Sequence, residues 1–122
     1  MGAYNYIVFE AICPGCKRSS SIEAQCHVAS SYDGDNSGRF FDRRYVLGSQ
    51  MAWWRPDQDG YEDWMTDEGL MVENDHQVIE GCYASCSLCR TELYAAIRFR
   101  DLRPVEVLEI GQEQNWPGWL LR

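Results

Sequence analysis

A chain of 122 residues is the size of one small domain, and a hydrophobic share of 45% suits a packed core better than disorder. A formal net charge of −8 argues against general nucleic-acid binding, which needs clustered Lys and Arg against phosphate. No stretch approaches the ~18 apolar residues of a membrane span. The opening residues Met1 to Tyr6 lack the basic and apolar regions of a signal peptide, so the expectation is a soluble, cytoplasmic chain forming one domain over 1–122, with no membrane partner.

Tyr4 to Ile12 alternates as a strand, with Ile7, Phe9 and Ala11 on one face. Pro14-Gly15 turns the chain, and Ser19 to Val28 returns as the second strand of a hairpin with Ile22, Ala24 and Cys26 together. Ala29 to Arg39, rich in Ser, Asp, Asn and Gly, reads as an exposed loop. A further strand is expected within Phe40 to Met51, around Tyr45, Val46 and Leu47. Ala52 to Gly69 is acidic and aromatic, with a short helical turn from Tyr61 to Asp67. His76 to Ser85 and Glu92 to Asp101 read as strands, the latter with Leu93, Ala95, Ile97 and Phe99 inward and Tyr94, Arg98 and Arg100 outward. Pro104 to Ile110 makes a last strand, followed by a tail with Trp116 and Trp119 as anchors.

Six cysteines include two Cys-x-x-Cys pairs, Cys13-Pro14-Gly15-Cys16 and Cys86-Ser87-Leu88-Cys89. Two pairs supply the four thiolates of a closed tetrahedral zinc site, each pair presenting both sulfurs from one turn between two strands. One structural Zn²⁺ held by Cys13, Cys16, Cys86 and Cys89 is therefore expected ahead of three disulfides. Such a site has no open position for a substrate or water, and its contribution is to folding. A thioredoxin-like use of Cys13 and Cys16 is disfavoured, because Lys17-Arg18-Ser19-Ser20-Ser21 is a poor helix start and no βαβ pattern follows. Cys26, His27, His76 and Cys82 are candidates for a second metal site or for replacing one of the four ligands, with buried cysteines and ordinary histidines the preferred reading.

The opening strand Tyr4-Asn5-Tyr6-Ile7-Val8-Phe9-Glu10 running into Cys13-Pro14-Gly15-Cys16, with the closing half from Gly81 to Cys89 and the strand to Phe99, resembles the zinc-ribbon class. In particular it resembles small uncharacterised bacterial and phage proteins that open in this way. The resemblance covers the two ends of the chain and implies fold and metal, not an activity. The 69 residues between Cys16 and Cys86 exceed a minimal ribbon. The expected fold is thus mostly β, a small antiparallel zinc-ribbon-like domain with an acidic, aromatic-rich insertion at about 52–80.

From Pro56 to Cys89 there is no Lys or Arg but nine acids, while the rest of the chain carries ten acids against eleven bases. One segment therefore holds the whole charge excess. No nucleophile elbow, P-loop, His-Glu-x-x-His or dinucleotide fingerprint occurs, and no enzyme is expected. The acidic segment reads either as a solvated loop whose aromatics pack down, or as a docking surface for a basic protein. In the second case Trp53, Trp54, Asp57, Asp59, Glu62, Asp63, Trp64, Asp67 and Glu68 are the candidate contacts, since Trp buries area at low entropic cost and carboxylates steer a cationic partner. By size and charge, an immunity or inhibitor protein against a basic toxin or nuclease is the expectation. The alternative is a nucleic-acid-binding ribbon using Lys17, Arg18, Arg39, Arg43, Arg44, Arg98, Arg100 and Arg103.

Overall fold

Period-two alternation of apolar and polar residues generates strands that each present one face to a shared core. In the computed structural model, which describes residues 4–31 and 40–122, these are β1 (Asn5–Ile12), β2 (Ser19–Cys26), β3 (Arg44–Val46), β4 (Leu70–Asn74), β5 (Gln77–Cys86), β6 (Glu92–Arg100) and β7 (Arg103–Gln112). They form one sheet in the order β3-β1-β2-β5-β6-β7, with β4 added beside β5. Every pairing is antiparallel except β1 with β3. The sheet is mostly β, curled and antiparallel-dominated, as expected from the sequence.

The first hairpin pairs Asn5 with Cys26 through Ile12 with Ser19. Its inward residues Ile7, Phe9, Ile22, Ala24 and Cys26 join Val78, Cys82, Ala84, Leu93, Ala95, Ile97 and Phe99 in the main core. β5 is the hinge of the topology. Its last residues pair with β2 (Ala84 with Ala24, Cys86 with Ile22), while its first residues pair with β4 (Val78 with Val72, Glu80 with Leu70). β2 and β4 therefore share one edge of β5 and part company around Gly81.

The loop after β3 joins the two outer strands of the sheet. The Gly48 N–H donates to the Pro104 carbonyl at 2.6 Å and the Met51 N–H to the Leu102 carbonyl at 2.8 Å. Buried Asn5 adds a second tie, donating to the Ala29 carbonyl and accepting the Arg43 N–H, each at 3.0 Å.

The chain departs from its sequence pattern in four places. β3 spans only three residues, because only these lie along β1; the parallel pairing puts Tyr45 against Ile7. β4 falls inside the segment expected to be an insertion, and its one buried residue, Leu70, is too weak a signal for a strand. Tyr94, expected outward, is 5% exposed, because the tail folds over that face and builds a second cluster from Ile79, Tyr94, Ala96, Leu120 and Trp116. Trp116 anchors the tail as expected, its ring packing on Tyr83 and Tyr94 with centroids at 5.1 and 5.6 Å, whereas Trp119 is 45% exposed and Leu120 takes the buried place. Gly81 admits this tail, since a Cβ there would stand 2.6 Å from both the Leu121 carbonyl oxygen and Trp116 Cζ2.

The helical turn expected from Tyr61 is a 3₁₀ turn over Tyr61–Met65. Of the loop expected over 29–39, Ala29 is buried and residues 32–39, including Arg39, lie outside the described residues. Among the described residues no helix is long and apolar enough to cross a membrane.

Candidate metal centre

The two Cys-x-x-Cys turns fold alike because each must reverse a strand within three residues. In the first, the Lys17 N–H reaches back to the Cys13 carbonyl at 2.9 Å; in the second, the Arg90 N–H reaches the Cys86 carbonyl at 3.0 Å. Both Lys17 and Arg90 have φ of 62°, the left-handed conformation that lets the chain leave the turn. The second turn is also tied to the first hairpin by the Ser87 N–H, which donates to the Ser21 carbonyl at 3.0 Å.

Pairing of β2 with β5 brings these turns together. The sulfurs of Cys13, Cys16, Cys86 and Cys89 all lie within 4.8 Å of one another. Cys13 Sγ stands 3.7 Å from Cys89 Sγ, and Cys16 Sγ 3.9 Å from Cys86 Sγ. A tetrahedron with metal–sulfur bonds of 2.3 Å has edges of about 3.8 Å, so the spacing suits a metal and is far too long for a disulfide. All six cysteines are free thiols. The four grouped thiols could hold one metal ion, and the short contacts run between the turns, so an ion there would cross-link the two ends of the chain.

Donors are already aimed at the sulfurs. The Gly15 N–H points at Cys13 Sγ (3.2 Å) and the Leu88 N–H at Cys86 Sγ (3.4 Å). The buried Ser20 hydroxyl lies 3.2 Å from Cys86 Sγ, and the Thr91 hydroxyl 2.9 Å from Cys89 Sγ. The Ser20 hydroxyl, with backbone N–H groups of Cys89 and Leu88, pulls the Cys86 thiol down to about 6. Thr91 lowers Cys89 likewise. Cys16 moves the other way. The Arg18 backbone favours its thiolate, but desolvation and the three neighbouring thiols raise it to about 11. Four negative sulfurs at this spacing need a cation among them. Gly15 is dictated by the fit of the two turns, since a Cβ there would stand 2.6 Å from Thr91 Oγ1.

Among the described residues this is the one group of three or more metal-ligating side chains close enough to share an ion. Cys26 and Cys82 are buried, and desolvation raises both thiols well above the ordinary value. His27 binds Glu80, whose carboxylate is 3% exposed, through Nδ1 at 2.7 Å. His76 instead faces Glu62 at 3.1 Å and stacks on Trp64. The Glu80 partnership had no sequence signal, since one acid among nine in the segment carries no mark of burial.

The acidic segment divides. Trp64 is 1% exposed and belongs to the core, so it offers no area to a partner. Trp53 and Trp54 are half-buried against Phe40, with ring centroids at 5.1 and 5.0 Å, and Trp53 Nε1 donates to the Tyr61 carbonyl at 2.7 Å. Asp57, Asp59, Glu62, Asp63, Asp67 and Glu68 are exposed. Asp57 meets Arg55 at 3.3 Å. Of the basic residues, Arg44 pairs with Glu23, Arg98 with Glu73 and Glu106, Arg100 donates to Gln77, and Arg103 to the Gly48 carbonyl. Lys17, Arg18 and Arg43 are exposed. No protein-family model, curated protein or solved structure matches the chain.

Proposed function

We propose that this is a non-enzymatic, zinc-stabilised interaction module of the zinc-ribbon type, which binds a basic protein through the face built by residues 53–68. The observation that carries the reading is the division of that segment. One of its three indoles, Trp64, is sunk in the core, while Trp53 and Trp54 are half-buried and Asp57, Asp59, Glu62, Asp63, Asp67 and Glu68 are exposed. A patch with six exposed carboxylates against the single cation Arg55, and with two half-buried indoles, suits electrostatic steering followed by burial of aromatic surface.

Zinc is the ion assigned to the centre, because a closed set of four thiolates is the usual donor set of structural zinc, and free thiols elsewhere in the chain suit a reducing compartment such as the cytoplasm. An immunity or inhibitor protein of a bacterium or phage, covering the cationic site of a toxin or nuclease, is the role in keeping with this size and charge. The nucleic-acid alternative is weakened by the carboxylates already holding Arg44 and Arg98.

The test is affinity capture from the source cell with the zinc-loaded chain and with a variant carrying the six acids as Asn or Gln. Proteins of high pI retained by wild type and lost by the variant are the expected result. Equal recovery by both, or a salt-sensitive shift of DNA or RNA by the wild type, sinks the proposal.

A further inference from the structure

Where β2 ends and the acidic segment packs back on it, the chain leaves a cleft of about 240 Å³. Among the described residues it is lined by His27, Ser30 and Ser31 beyond the end of β2, by Trp53 and Trp54, and by Asp63, Thr66 and Asp67 from the 3₁₀ turn and its exit. Its walls are held in place. Trp53 is fixed by its bond to the Tyr61 carbonyl, and both indoles by Phe40. Asp67 Oδ1 accepts the Gly69 N–H at 2.9 Å. His27 is clamped at both its backbone N–H and Nδ1 by Glu80.

The charges do not cancel. His27 is matched by Glu80, so the imidazole brings no net positive charge to the cleft. Neither Asp63 nor Asp67 forms an ion pair with any described residue. An anion would meet both carboxylates unfavourably, and a neutral guest would gain nothing from their charge. A hard divalent cation needs several ligand atoms converging, and among the described residues no such group exists outside the four cysteines. A planar, weakly hydrated guanidinium matches the chemistry of these groups, since it can bond carboxylates through a fork of N–H donors and lie against indole.

We infer that this cleft receives an arginine side chain of the partner protein. The inference rests on the proposed binding of a basic protein by the acidic face, and it names the group that would anchor that contact. Asp63 and Asp67 supply the charge, Trp53 and Trp54 the aromatic wall, and the Glu80–His27 pair the rigid back.

The probe is N-acetyl-arginine methylamide titrated into the ¹⁵N-labelled, zinc-loaded chain, with the citrulline analogue as neutral isostere and the lysine analogue as point charge. The arginine compound should shift the indole signals of Trp53 and Trp54 and the amides of His27 and Asp63 to Asp67, saturably. D63N/D67N should weaken this about tenfold while keeping zinc content and spectral dispersion, both residues being exposed. An equal response to citrulline or lysine, shifts confined to other regions, or an unaffected double variant overturns the assignment. If arginine fails while the six-acid variant still loses its captured protein, the cleft inference falls and the acidic-face reading stands. If that variant keeps its protein, the wider reading falls with it.

Discussion

His27 Nδ1 stands 2.7 Å from Glu80 Oε2, and the same carboxylate accepts the His27 backbone N–H at 2.8 and 3.0 Å. The two residues sit where β2 stops pairing with β5 and β4 takes over its edge. The N–H that β2 can no longer give to the ladder is met by a side chain of β5 instead, which explains why an acid is tolerated in the core.

This pairing makes stability depend on pH. The hydrogen bond that His27 donates to Glu80, together with the charges of Glu80 and Asp67, raises His27 above 6.5 against the opposing desolvation. Burial likewise raises Glu80 above 4.5, although His27 opposes it. A group raised on folding stabilises fully below its unfolded value and loses that contribution as pH rises through its folded value. The His27 contribution is thus present below pH 6.5 and declines above it. Urea unfolding from pH 6 to 8 should show this decline in wild type and much less of it in Glu80→Gln, the metal contribution being common to both. An NMR titration should place His27 above 6.5 in wild type and lower in the variant. Identical titration curves would show that Glu80 does not control His27.

Metal content is the most direct check on the four-thiol centre. One zinc per chain is expected, with sulfur-only ligation at about 2.3 Å by X-ray absorption. Cys13→Ser or Cys86→Ser should abolish stoichiometric binding, and chelation should unfold the wild type, because zinc peptides gain about 10–16 kcal/mol from the ion. A folded, metal-free wild type would contradict a structural role.

Ser20 tests the donors behind the sulfurs. Ser20→Ala removes the hydroxyl 3.2 Å from Cys86 Sγ and should weaken metal affinity by about 10–100-fold in a chelator competition, while the fold persists at saturating metal. Unchanged affinity would mean that the hydroxyl serves β2 and not the thiolate.

Trp64 and Trp54 separate core from surface within one segment. Trp64→Ala should cost about 3–5 kcal/mol in denaturant unfolding, as expected for a large buried side chain. Trp54→Ala, at a half-buried position, should cost much less. Comparable losses would mean that Trp54 is as structural as Trp64.

Gly81 tests the tail. Gly81→Ala places a methyl group against the Leu121 carbonyl and Trp116, and should lower stability by about 1–3 kcal/mol. Limited proteolysis should then cut within 113–122 first, since the displaced tail exposes its backbone. Unchanged protection would mean that the tail shifts to accommodate the methyl group.

Local pattern determined much of this protein. The alternation in Tyr4 to Ile12, Ser19 to Val28, His76 to Ser85 and Glu92 to Asp101 was enough to find β1, β2, β5 and β6, because one buried face imposes period two on the residues themselves. The spacing of the cysteines was enough to group four of them, because two residues between thiols is a local requirement of a metal-binding turn. What only the tertiary structure decided were matters of what lies opposite. Tyr94 and Glu80 look like surface residues until the tail and the end of β2 are laid on them. Trp64 and Trp54 look alike until one sinks into the core. The cysteine turns were legible because their geometry is written within four consecutive residues. The burial of Glu80 depends on a strand end brought from 53 positions away.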